Sequence, residues 1–216
     1  LNRQLWVREG RFRMLRLTER VAARPMPKIT IVDMKQEIRQ GNTGIFSSNL
    51  KAALERVLAN GEQALLFINR RGFHTFVLCR ECGTALTCPH CAITLTYHQA
   101  RNRLVCHYCN YTRELPRQCP ACGSGFIRYL GTGTERVAQE AAKLFPSARI
   151  LRMDTDTTRI KGSHTSILKD FQEGKGQILV GTQMIAKGLD FPAVTLVAIV
   201  NPDILLNMPD FQAGER

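Results

Sequence analysis

The sequence predicts an α/β domain built on a parallel sheet and interrupted by a cysteine-rich metal module. Three observations predict it. On both sides of the middle of the chain, apolar strand-like runs alternate with amphipathic helical runs, the pattern of a sheet covered on both faces. The strand-like runs, QALLFIN and VTLVAIVN among them, are apolar along their whole length, as buried parallel strands are. All eight cysteines fall between residues 79 and 122, in four C-x-x-C pairs.

The elements follow in order. Residues 1–43 are a basic segment ahead of the domain. SSNLKAALERVLANGE is a helix with Ser47 or Ser48 as N-cap and Gly61 past its end. QALLFIN (63–69) is a buried strand, and FHTFVLC is a short extended segment leading into the cysteines. After them, FIRYLG (126–131) is a strand and TERVAQEAAKLF (134–145) a helix stopped by Pro146. RILRMD (149–154) is a strand, SHTSILKDFQEGK (163–175) a helix, and QILVGT (177–182) and VTLVAIVN (194–201) are strands. Residues 44–78 and 123–216 thus form one discontinuous lobe around a module at 79–122. In a parallel sheet, ligand-facing loops are expected at the carboxyl ends of the strands.

A C-x-x-C pair folds into a tight knuckle that aims two sulfurs at one point, and two knuckles make a tetrahedral thiolate cage suited to structural Zn²⁺. Cys91 and Cys106 are separated by AITLTYHQARNRLV, which reads as a β-hairpin: Ile93, Leu95 and Tyr97 alternate, HQARN turns, and Leu104 and Val105 return. The second and third pairs therefore form an inner site, Cys88, Cys91, Cys106 and Cys109. The first and fourth are left for an outer site, Cys79, Cys82, Cys119 and Cys122. Nesting brings the two ends of the module together, so it can be inserted in a loop of a host domain. Eight cysteines fill two cages, which leaves His90, His98 and His107 as ordinary polar residues and leaves no open position for catalysis.

Lys and Arg number 30 against 18 Asp and Glu, a formal +12. The first 78 residues hold 14 basic and 6 acidic side chains, so the excess sits mainly there. Two Zn²⁺ ions in all-thiolate cages would lower the total to about +8. Such a charge fits a nucleic-acid partner or simply a basic soluble surface. No apolar run approaches the roughly 18–20 residues of a membrane span. The opening LNRQLWVREGRFRMLRL is basic and lacks the apolar core of a signal peptide. A first residue that is not Met, and a last stretch DFQAGER with no helix cap, read as the ends of a fragment.

Several loops between the elements are chemically loaded. NRRGF (69–73) puts adjacent arginines at a strand end. GTGTE (131–135) runs glycines and hydroxyls into a helix N-terminus, an arrangement that offers N–H groups to a phosphate and is also a common bare N-cap. RMDTDT (152–157) carries two acids at a strand end and reads as a turn with Asp as N-cap. GTQMIAKGLDFP (181–192) links two strands through a Lys-Gly-Leu-Asp.

Together these residues resemble one family. LLFINRRGF, four C-x-x-C pairs, LGTGTERV, RMDTDTT and ILVGTQMIAKGLDFPAVTLVAIVNPD stand in the order seen in the PriA family of bacterial replication-restart DNA helicases, over roughly residues 10–216. The resemblance implies a RecA-like fold, the second helicase lobe of superfamily 2, with the two-zinc module inserted and residues 1–43 linking from a first lobe. It implies an ATP- and Mg²⁺-dependent 3′ to 5′ helicase that acts at forks and assembles the primosome. Single-stranded and forked DNA, primosome proteins and single-stranded DNA-binding protein are the implied partners, with no membrane, in a cytoplasmic, nucleoid-associated setting. Gly188 and Asp190 are then placed toward the nucleotide ribose, Thr182 and Gln183 between bound DNA and the ATP cleft, and Lys187 at the lobe interface. Arg70, Arg71, Thr132 and Thr134 become candidates for DNA phosphate contacts. The sequence departs from a complete motor: it has no G-x-x-x-x-G-K-[ST] and no acidic Mg²⁺-holding motif, so the chain alone is expected to be inactive. Cysteines and composition by themselves also fit a non-enzymatic zinc-ribbon adaptor that binds nucleic acid or protein.

Overall fold

The computed structural model describes residues 2–15, 18, 25–68, 77–98, 101–129, 133–155, 157–158, 162–185 and 190–202. The chain divides into two compact units, Leu1–Ile31 and Val32–Arg216. The first contains helix α1 (Asn2–Arg8). There the Trp6 ring meets Phe12 edge-on at 5.4 Å, while Leu15, Ile29 and Ile31 are exposed.

The second unit begins with α2 (Met34–Arg39), a short helix that the sequence pattern does not announce. Asp33 caps it by accepting from the Lys35 N–H. Helix α3 (Ser48–Ala59) is capped by Ser47, whose hydroxyl accepts from the Leu50 N–H at 3.1 Å. Strand β1 (Gln63–Ile68) follows. Past the module come α4 (Thr134–Leu144), β7 (Ile150–Met153), α5 (Ser163–Gln172), β8 (Ile178–Gly181), a single 3-10 turn at Gln183–Ile185 and β9 (Val194–Val200).

Four of these strands make the expected parallel sheet, in the order β7-β8-β1-β9. Register is set by pairs such as Leu65 with Leu179 and with Val197. Successive side chains point to opposite faces, and each face has its own core. On one face, Leu54 and Val57 of α3 and Val137 and Ala141 of α4 pack on Ala64, Leu66, Ile68, Ile178 and Val180. On the other, Phe171 of α5 packs on Met153, Leu179 and Ile185. Covering both faces explains why the strands are apolar throughout. The cover is incomplete at β9, where Val197 and Ile199 remain about 60% exposed.

The module has two small antiparallel sheets. Strand β2 (Val77–Cys79) pairs with β6 (Ile127–Tyr129), Cys79 opposite Ile127. Strands β3 (Thr96–His98), β4 (Arg103–Val105) and β5 (Thr112–Glu114) form the second. Of FIRYLG, expected among the strands of the host lobe, Ile127–Tyr129 form a strand, and among the described residues it does not join the parallel sheet. It returns beside the strand that entered the module, because the two ends of an inserted unit have to lie together. The hairpin β3–β4 turns at Asn102, which takes a φ of 48° and accepts a hydrogen bond from the Tyr97 hydroxyl at 2.7 Å.

Candidate metal centres and the lobe loops

Each cysteine pair builds the same knuckle. The first cysteine donates its N–H to a carbonyl five residues on: Cys79 to Thr84, Cys88 to Ile93, Cys106 to Tyr111 and Cys119 to Ser124. Its carbonyl accepts from the residue after the second cysteine: Gly83, Ala92, Asn110 and Gly123. That residue takes a left-handed conformation in all four knuckles, with φ of 78°, 53°, 58° and 75°. Glycine adopts it freely and asparagine readily, so Ala92 is the strained member of the set.

The sulfurs gather into two groups, Cys79, Cys82, Cys119 and Cys122, and Cys88, Cys91, Cys106 and Cys109. Within each group the sulfurs lie within 4.8 Å of one another. This is the nested pairing that the hairpin spacing predicts. The sulfurs stand 3.6 Å apart for Cys79–Cys122, 3.7 Å for Cys82–Cys119 and 3.6 Å for Cys88–Cys109. A tetrahedron with Zn–S bonds of about 2.3 Å has edges of about 3.8 Å, so the cages have the size that zinc needs. A disulfide would bring sulfurs to about 2.05 Å, and all eight thiols are free. Two zinc ions therefore fit, one per cage, each with four thiolate ligands and no open position.

Crowding spreads the acidities of the thiols in each cage. The Thr84 hydroxyl, 3.2 Å from Cys82 Sγ, and the Thr84 backbone N–H pull the Cys82 thiol down to about 6. Cys91 is pushed up to about 12 by its hydrogen bond with Cys109 and by burial. Four sulfurs this close cannot all ionise in isolation, whereas a divalent ion stabilises every thiolate at once. The histidines do not enter the cages. His90 meets Tyr111 edge-on at 5.3 Å, and the His98 and His107 rings lie 5.4 Å apart. Around the inner cage Leu86, Leu95, Tyr97 and Leu104 form a small core that reaches Val77 at the base of the module. A core of that size does not fold a module of this length unaided, which makes the metal a structural component.

The loops of the lobe lie at different ends of the sheet. Thr182 follows the carboxyl end of β8, and its carbonyl accepts from the Ile185 N–H at 3.0 Å to close the 3-10 turn containing Gln183. Gly181 just before it is required by packing: a Cβ there would stand 2.8 Å from Ile185 Cγ2 and 2.9 Å from the Met153 carbonyl. Asp190 lies at the opposite, amino end. It lines a concavity of about 240 Å³ with Gln63, Gln172, Phe191, Pro192 and Ala193. Phe191 is held there against Phe171, ring centres 5.1 Å apart, and the Ala193 carbonyl accepts from the Gln63 N–H at 2.8 Å. Lys187 and Gly188, as well as Arg70, Arg71 and Thr132, lie outside the described residues.

Thr134 is placed differently from its expected phosphate-contacting role. It is 2% exposed, and its hydroxyl donates to the buried Asp154 carboxylate. Asp154 also accepts from the Thr157 N–H at 2.9 Å and pairs with Arg152 at 3.1 Å. The acid of RMDTDT and the hydroxyl of GTGTE thus join α4 to the end of β7, with no open hydroxyl left at Thr134. Sequence reasoning passed over Arg80 and Thr84, which lie in and just after the first knuckle. It also passed over the residue following each pair, where Gly, Ala, Asn and Gly give a readable turn signal.

The fold and the cages define a class: a parallel-sheet α/β lobe with an inserted module holding two nested four-cysteine zinc centres. Residues 88–113, the inner knuckles and their hairpin, match the family model described as the PriA DNA helicase Cys-rich region (CRR) domain. The chain is 51% identical over 208 residues to the replication restart protein PriA of Bacillus subtilis (strain 168), covering 96% of this chain and 26% of that protein. It is 47% identical over 206 residues to PriA of Synechocystis sp., covering 94% of this chain and 25% of that protein. Against PriA of Borreliella burgdorferi the figures are 38% over 188 residues, 87% and 27%. The chain spans about a quarter of the length of the curated relatives it matches. It fits a fragment of PriA.

Proposed function

We propose that this chain is the second motor lobe, with its zinc module, of an ATP-dependent DNA helicase that restarts stalled replication forks. In this reading residues 79–122 are the module, and residues 44–78 and 123–216 the RecA-like lobe. The whole protein moves 3′ to 5′ on single-stranded DNA and meets forked DNA, single-stranded DNA-binding protein and primosome proteins in the cytoplasm. The observation that supports it best is the GTQMIAKGLDFP crossover, which leaves the carboxyl end of β8 at Thr182 and reaches the amino end of β9 at Ala193. Any parallel connection spans the sheet in this way; what marks this one is the Thr-Gln at its start and the Lys-Gly-Leu-Asp it carries, polar and charged groups that a merely structural link does not need. A zinc-ribbon adaptor has no use for it.

The roles divide accordingly. Asp190 and Gly188 contact the nucleotide ribose, and Lys187 lies at the interface with the first lobe. Thr182 and Gln183 sense DNA, and Arg70, Arg71 and Thr132 contact its phosphates. ATP and Mg²⁺ are held chiefly by groups outside this chain, so the 216 residues alone do not turn over ATP. The test uses a protein of the relatives' full length. Asp190→Ala or Lys187→Ala leaves zinc content intact and lowers DNA-stimulated ATPase and unwinding together by about 10-fold. Replacing Arg70 and Arg71 weakens DNA affinity and flattens its salt dependence, with little change at saturating DNA. Normal unwinding by Asp190→Ala, with ATP binding abolished by the arginine changes, overturns the assignment.

A further inference from the structure

The first knuckle does more than hold metal. Arg80 stands between the outer-cage ligands Cys79 and Cys82, and its guanidinium reaches out of the module. Nη1 donates to the Thr43 carbonyl at 2.7 Å and Nη2 to the Gly44 carbonyl at 2.9 Å. These two carbonyls belong to the loop between α2 and α3. The guanidinium is a rigid planar fork, so it suits two adjacent acceptors in a way that the single ammonium of lysine does not.

The loop that receives Arg80 is built in advance. Asn42 donates to the Glu37 carboxylate and to the Phe46 carbonyl, and its Oδ1 accepts from the Gly44 N–H and from Lys51 Nζ. Glu37, 8% exposed, also accepts from the N–H and the hydroxyl of Ser48 at 2.8 Å each. These bonds hold the Glu37 carboxyl below its usual range, with Asn42 the largest cause. One buried carboxylate and one amide thus lock the loop onto the first turn of α3, a helix that packs on the parallel sheet. On the knuckle side, the Arg80 N–H donates to the Phe126 carbonyl at 3.0 Å, across to the strand that leaves the module. The Lys35 side chain lies over Gly83, within 3 Å of where a Cβ would stand.

We propose that Arg80 is a positioning residue that docks the outer zinc knuckle into this socket, so that the outer centre sets the orientation of the whole module on the lobe. The ion fixes the knuckle, the knuckle aims the guanidinium, and the Glu37–Asn42–Ser48 network presents the two carbonyls. The inference does not depend on the helicase reading, since it concerns only how two parts of this chain are held.

The experiment uses the zinc-loaded chain with Arg80→Lys and, separately, Asn42→Ala, which lies away from both cages. Spin labels at Glu55 on α3 and Arg101 at the hairpin tip, introduced as unnatural amino acids to spare the thiolates, report orientation. Hydrogen exchange at the Asn42, Gly44 and Ser48 amides reports the socket. Both variants are expected to keep two zinc ions, to broaden the label distance distribution, and to speed exchange at those amides by about tenfold. An unchanged distance distribution in both variants overturns the proposal, even with faster exchange, because the socket would then have loosened without moving the module. If Arg80→Lys sheds zinc, Asn42→Ala decides: a broadened distribution supports the docking role, and an unchanged one refutes it.

Discussion

Left-handed strain in the four knuckles can be measured, because the position after each second cysteine is occupied by Gly, Ala, Asn and Gly in otherwise equivalent turns. At Gly123 a Cβ would meet nothing within 4 Å, and φ is 75°, so Gly123→Ala adds backbone strain without a clash. A non-glycine residue in that conformation costs about 1–2 kcal/mol. Ala92, at φ 53°, already bears that cost. Ala92→Gly removes it but restores freedom to the unfolded chain, which returns about 0.4–1 kcal/mol to the unfolded side. The net gain for the inner cage is about 0.5–1 kcal/mol, a two- to fivefold tighter hold on its ion. Gly123→Ala, with the same offset acting in reverse, should weaken the outer cage by about two- to fivefold. Gly83→Ala should do at least as much, since its Cβ would also displace Lys35 Cε from 2.8 Å. The assay is a competitive titration with a zinc chelator at fixed pH, where the two ions leave in separable steps and each variant shifts one step only. If Ala92→Gly loosens the inner ion, or Gly123→Ala leaves the outer one untouched, the left-handed turn is not what limits these cages.

The remaining predictions rest on other parts of the molecule. Chelation of both ions should abolish the near-ultraviolet signals of Tyr97, Tyr108 and Tyr111 and melt residues 79–122, while the helices packed on the parallel sheet persist; elemental analysis should give two zinc ions per chain before chelation. Cys88→Ser should release the inner ion and keep the outer, whereas Cys79→Ser should loosen the module at its base; exchange protection of β2 and β6 distinguishes them. Thr134→Val should destabilise the lobe by about 1–3 kcal/mol in urea unfolding, by leaving the Asp154 carboxylate short of a donor, and should leave the salt dependence of DNA binding unchanged.

Much of this organisation was legible in the sequence because it is written within a few residues. Of the three ways to combine the pairs, the 14 residues between Cys91 and Cys106 favour the nested one, because they alternate and turn as a hairpin does. Apolar runs between amphipathic helices announce a sheet covered on both faces, and Ser47 ahead of α3 announces a capped helix. Other features have no local signature. Strand β5, Thr112–Glu114, is polar and owes its conformation to the ladder with β4. FIRYLG looks like a lobe strand, yet pairs with β2 because the ends of the inserted module must meet. Thr134 sits in a loop that reads as phosphate-binding, and only the fold shows that the hydroxyl faces a buried carboxylate. Asp190 is eight residues from Thr182 in the chain and at the other end of the sheet in space, because a parallel connection has to cross the full length of a strand before the next begins. Arg80 reads as a loop charge until the 42–46 loop, more than 30 residues away, is brought against it. Ligand spacing, helix caps and hydrophobic period act over one turn or one hairpin, so sequence alone determines them. Which strands pair, which hydroxyls are buried and which charges find partners depend on contacts between distant segments, and those exist only once the chain has closed on itself.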